Sequence, residues 1–140
     1  MDTANELRGT MVLIHPDLTR DPAGKSGEVG VITGYEPEND NVYVGFGKGG
    51  QGLYGTDAVL VLRNGPAIFS ELAQQKPYMS ADDVGKVFKI GLFLDASPSP
   101  ANTVTALEFA AKNPAVRQMV TRSLEHQLGI EQRIAAYTER

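Results

Sequence analysis

Twelve of the fifteen glycines fall before Pro66, and that asymmetry limits the folds open to this chain more than any other feature. Each interior glycine costs a helix about 1 kcal/mol relative to alanine, so a segment this rich in glycine reads as strands joined by tight turns. Beyond Pro66 glycine thins out, and apolar residues recur every three and four positions instead of every two. The chain therefore reads as α+β, with a β-barrel over residues 1–64 and a helical unit over residues 65–140.

Five strands are expected, at Thr10–Ile14, Glu28–Tyr35, Val42–Phe46, Leu53–Thr56 and Val59–Leu62. β-Branched and aromatic residues fill these runs, and turn residues separate them. In the third, Val42, Val44 and Phe46 alternate with Tyr43 and Gly45, so one set fills a core and the other faces out. Gly30, Gly34, Gly45 and Gly47 let the strands bend at the corners of a small closed barrel. The first connection, His15 to Gly27, is long, and a loop of that length is either functional or folded back on its domain. Glu36 to Asn41 is a polar hairpin loop, Lys48 to Gln51 a glycine tip, and Thr56-Asp57-Ala58 a tight turn.

In the second half, Asn64-Gly65-Pro66 turns the chain into a helix running to about Gln75, with Ile68, Phe69, Leu72 and Ala73 on one side. Ser80 caps a second helix with Asp82 and Asp83 in its first turn and a stripe of Val84, Val87, Phe88 and Leu92. A Pro/Ser-rich break over 95–101 precedes a third helix, about Asn102 to Lys112, carrying Val104, Leu107 and Ala111. Asn113-Pro114 opens a fourth. Val116, Val120, Leu124 and Leu128 step by four along it, and Gly129 is its stop. Residues 130–140 read as a further short helix or a frayed tail.

Gly27-x-x-Gly30-x-Ile32, Val42-Tyr43-Val44-x-Phe46 and Ala58 to Leu62 resemble an SH3-like small barrel of the KOW or Mib/HERC2 type, over roughly residues 8–63. That resemblance implies a five-stranded SH3-like β-barrel followed by a three- to four-helix C-terminal unit. It also implies binding of a peptide, a protein or RNA. The chain departs from the RNA-binding members in lacking a basic surface, and from many peptide-binding members in lacking tryptophan. As a whole it resembles small uncharacterised bacterial proteins, which implies no activity.

The formal charge is −4, and it lies entirely in the β half. Residues 1–65 hold nine acids and five bases, while residues 66–140 hold eight of each. An acidic barrel repels the phosphate backbone, so nucleic acid is not an expected partner. With no cysteine there is no disulfide framework, thiol chemistry or cysteine-based zinc site. Met1 to Arg8 lacks the basic and apolar regions of a secretion signal, and no apolar run approaches a membrane span, so the expectation is a cytoplasmic protein away from membranes.

Chemical motifs are incomplete. Gly45-x-Gly47-x-x-Gly50 matches a dinucleotide fingerprint in letters, but a strand follows where the pyrophosphate needs a helix N-terminus. A hairpin tip requiring positive φ explains it, with a bare anion nest around Lys48 as the other reading. Gly24-Lys25-Ser26 ends like a P-loop, yet Thr19 stands where its first glycine belongs. In Gly24-Lys25-Ser26-Gly27-Glu28, Glu28 replaces the last glycine of a nucleophile elbow. His15 and His126 are isolated, and Glu36, Glu38 and Asp40 lack the pattern of a calcium loop. No catalytic residue, cofactor or metal site is expected.

These absences favour a non-enzymatic protein- or peptide-interaction or regulatory module. A small-molecule or anion-binding protein is the alternative, and an enzyme without a recognisable motif the next. Candidate binding residues are Asp17, Arg20, Asp21 and Lys25 of the long first loop, Lys48 of the glycine tip, and the barrel tyrosines Tyr35, Tyr43 and Tyr54. The tyrosines fit a half-buried rim as well as a binding surface.

Overall fold

The computed structural model describes residues 6–21, 23–47, 49–96 and 99–129. Its strands are β1 (Met11–Ile14), β2 (Val29–Glu36), β3 (Asn41–Gly45), β4 (Gln51–Tyr54), β5 (Val59–Leu62) and β6 (Thr121–Ser123). Its longer helices are α1 (Gly65–Gln75), α2 (Ala81–Ala96), α3 (Pro100–Lys112) and α4 (Pro114–Val120), and residues 124–129 form a last helical segment, α5. The class is α+β, as the change of period implies.

One antiparallel sheet holds the six strands in the order β4-β3-β2-β1-β5-β6. Two features depart from a closed five-stranded barrel. The sheet is open, with β4 and β6 as its edges, and the sixth strand comes from the C-terminal half. A register shift between Ile32 and Gly34 breaks the β2–β3 ladder and lets the sheet coil.

Alternation builds a core on each face. Val12, Ile14, Ile32, Val42, Val44, Phe46, Val59 and Val61 point to one side and form a cluster that Leu124 and Leu128 complete. Leu13 and Leu60 point to the other side and pack on Leu107 of α3. Both faces of β1 and β5 are therefore covered, which is why Met11–Ile14 and Val59–Leu62 read as unbroken apolar runs. A third cluster, with Ile68, Leu72, Val87, Ile90, Ala106, Ala110, Val116 and Val120, ties the helices together.

Polar side chains cap the starts of three helices, and α3 begins at Pro100, inside the expected break over 95–101. Asn64 accepts from Ala67 N–H at 2.8 Å, Ser80 from Asp83 N–H at 3.1 Å, and Ser99 from Asn102 N–H at 3.1 Å. Asn113 sits at the N-cap of α4, but its side chain donates back to the Phe109 carbonyl at 2.8 Å.

Two helical expectations fail. The stripe of α2 that reaches the core is Val87 with Ile90, whereas Phe88 and Leu92 are each 47% exposed. The fourth helix is not continuous: α4 stops at Val120, and Thr121 is extended with φ −120° and ψ 163°. The Thr121 hydroxyl closes the helix by donating to the Arg117 carbonyl at 2.7 Å. The chain then pairs with β5, and Arg63 N–H reaches the Val120 carbonyl at 2.8 Å. Strand pairing on an open edge outweighs helix continuation at two β-branched residues, Val120 and Thr121.

The glycine tip is a turn, as its residues require: Gly49 and Gly50 have φ of +94° and +90°, and β4 follows directly. Gly50→Val is expected to lower stability by about 1 kcal/mol or more, read as a shift in the urea midpoint. The segment 130–140 lies outside the described residues.

Candidate functional site

The long first loop is anchored at three places. Leu18 and Ala23 pack against the sheet core. Asp21 takes a turn of its own, its carboxylate accepting from Gly24 N–H at 3.1 Å and Lys25 N–H at 2.7 Å. From across the sheet, the hydroxyl of buried Tyr54 donates to the same carboxylate at 2.9 Å. Asp17, at the loop's other end, meets the buried Arg117 of α4 at 3.3 Å.

The structure thus brings Asp21, Lys25 and Tyr54 together. Lys25 Nζ lies 5.4 Å from the centre of the Phe46 ring and 4.0 Å from Glu28. Arg20 is exposed, and Tyr35 packs partly buried against the core. Tyr43 donates its hydroxyl to Glu36, which also accepts from Asn41 at 3.3 Å. Lys48 lies outside the described residues. His15 Nδ1 accepts from Asp17 N–H at 3.1 Å, and His126 is exposed. Among the described residues no group of three His, Asp or Glu side chains could hold a metal ion.

Burial by itself would raise the Asp21 pKa. The bond from Tyr54 and the N–H groups of Lys25, Ser26 and Gly24 outweigh it and hold the carboxyl below its ordinary value of 3.8. Burial, then the Asp21 bond and charge, push the Tyr54 hydroxyl up, so it stays a donor. A carboxyl with a lowered folded pKa stabilises the fold above its unfolded pKa, and that stabilisation is lost as pH falls through the folded value. Asp21→Asn is therefore expected to have a lower Tm than wild type at pH 7. The gap should narrow below about pH 4, in a series of melts from pH 7 to pH 2.

Two surfaces were not singled out from the sequence. One lies between α2 and α3, where Ile90, Phe93, Ala106 and Phe109 line a groove of about 480 Å³, with Lys86 and Lys89 beside it. Phe93 is 40% exposed and Phe109 36%. Lys86, Lys89, Ile90 and Phe93 follow helical spacing, so they share one face of α2. A signal existed: α2 carries Val84, Val87, Phe88, Ile90, Leu92, Phe93 and Leu94, more large apolar residues than one stripe can bury.

The other surface lies where β1 begins and β5 runs into α1. Arg63 and Arg122 line a cavity of about 530 Å³ there. Its signal was Arg122, a charge between Val120 and Leu124, two apolar positions of the expected helical stripe. None of the described helices is long and apolar enough to cross a membrane. The chain matches no protein-family model, no curated protein and no solved structure.

Proposed function

We propose that the chain is a non-enzymatic protein-interaction module whose binding surface is the groove between α2 and α3. The observation that carries this reading is the pair Phe93 and Phe109, which stand half-exposed on neighbouring helices over a floor of Ile90 and Ala106. Phe88 and Leu92 are also exposed on α2, outside the groove. Contiguous apolar surface of this kind is costly in water and favours a partner that covers it.

A groove lined by bulky side chains from two helices suits an amphipathic helix, laid in with apolar anchors at i, i+3 or i+4 and i+7. The rim gives that helix a sign. Lys86 is paired with Asp82 at 2.9 Å, and among the described residues Lys89 has no ion pair, so an acidic flank complements it. The sheet fits the small-barrel reading in outline: a long first connection, two short hairpins and a β5 that returns beside β1 support an SH3-like scaffold.

The test is selection from a displayed library of helical 16-residue peptides against the full chain. Enriched peptides are expected to carry two or three large apolar residues at helical spacing, with nearby Asp or Glu. Their binding should fall at least about tenfold for Phe93→Asp. Recovery of no helical binders overturns the reading. Peptides that lose affinity to Arg20→Ala and Tyr43→Ala, but not to Phe93→Asp, would move the surface to the first loop.

A further inference from the structure

The sheet core that contains Val59 and Val61 does not end in apolar residues. Arg122 stands opposite Val61 in the β5–β6 ladder, so its side chain shares that face. Arg63 follows Val61 by two residues and belongs to the same side, diagonally across from Arg122. Two guanidinium groups therefore close one end of a largely apolar core.

Among the described residues, little compensates them. Arg63 Nη1 donates to the Met119 carbonyl at 3.3 Å. Among the described residues the Nε atoms of Arg63 and Arg122 are buried without a hydrogen-bond partner, and neither side chain is in an ion pair. Glu6 borders the same cavity and is exposed. Burial, then the charge of Arg63, lowers the pKa of Arg122. Like charges held together and partly desolvated are unfavourable unless something of opposite sign joins them. The remaining lining fits such a guest: Thr10 and Asn64 are polar, and Leu124 is apolar. A second cavity of about 500 Å³ shares Arg63, Thr10 and Asn64, and extends over Met11 and Leu94.

We propose that Arg63 and Arg122 form a binding site for a small organic anion, whose carboxylate or phosphate head sits between the two guanidinium groups. Planar guanidinium forks match both oxyanions, and arginine keeps its charge when partly buried. The apolar part of the ligand lies along Leu7 and Leu124, which line the same cavity as both arginines. The site is separate from the groove between α2 and α3 and does not depend on its occupant.

The experiment is thermal melting and NMR titration of the full chain with three probes, inorganic phosphate, succinate and octanoate, each against sodium chloride at equal ionic strength. At least one probe is expected to raise Tm in a saturable way and to shift the amides of Thr10, Arg63 and Arg122. Phosphate acting alone assigns a phosphate head. Succinate or octanoate assigns a carboxylate, and octanoate binding more tightly than succinate assigns the apolar body. Arg122→Met is expected to keep or raise the ligand-free Tm, because a like charge is gone, and to weaken binding about tenfold or more. Should that variant fail to fold, Arg122→Lys decides, since it keeps the charge and loses the fork: weaker binding supports the site, and unchanged binding overturns it. A response in wild type no larger than that to chloride, or an undiminished response in Arg122→Met, also overturns it.

Discussion

Leu124→Ala is expected to cost about 2–5 kcal/mol, although the residue lies more than sixty positions along the chain from every strand it stabilises. Leu124 is 1% exposed and belongs to the same cluster as Val12, Val44 and Val59. Truncation removes the transfer energy of its methyl groups and leaves a cavity that strands held on both sides cannot collapse to fill. A loss of that size is a large fraction of the 5–15 kcal/mol that stabilises a typical domain. Urea unfolding followed by tyrosine fluorescence and by far-ultraviolet circular dichroism should show one common, lowered midpoint. Tyr54 is buried in the sheet core while most of the dichroism comes from the helices, and β6 and Leu107 join the two layers. A change below about 0.5 kcal/mol would mean that α5 does not complete the sheet core.

Gly30→Val is expected to be comparably severe, at about 3 kcal/mol or more. A Cβ at Gly30 would stand 2.5 Å from Val44 Cγ1, 2.9 Å from the Gly45 carbonyl oxygen and 2.9 Å from Phe46 Cε1. The carbonyl belongs to the β2–β3 ladder, where Val31 pairs with Gly45, so relief requires the sheet itself to move. Gly34→Ala is the control, because its Cβ would meet only the Tyr43 ring at an ordinary 3.5 Å. That variant should stay within about 1 kcal/mol of wild type in the same urea measurement.

Much of the fold is legible in particular residues. The alternation of Val42, Val44 and Phe46 against Tyr43 and Gly45 gives the buried face of β3 without help from any neighbour. Asn64, Ser80 and Ser99 start helices by local hydrogen bonds that need no partner element. The candidate site was less legible. Asp21, Lys25 and Tyr54 do come together, but much of that arrangement is a loop turn closed by Tyr54. Arg63 and Arg122 lie 59 positions apart, and only the β5–β6 register makes them neighbours.

What the sequence determined by itself is therefore local: the glycine-rich strand half, the helix caps, the positive-φ tip and the period of each segment. Those depend on backbone sterics and on hydrogen bonds within a few residues. What the tertiary structure alone decided is which surface each apolar residue meets. Val116, Val120, Leu124 and Leu128 share a spacing of four, yet the first two enter the helical cluster and the last two the sheet core. The open edge of β5 makes the difference. A strand edge is a row of unpaired donors and acceptors, and it captures Thr121–Ser123 in the middle of a helical period. Periodicity records that those residues are apolar at regular steps; the partner that completes their hydrogen bonds decides where the steps lead.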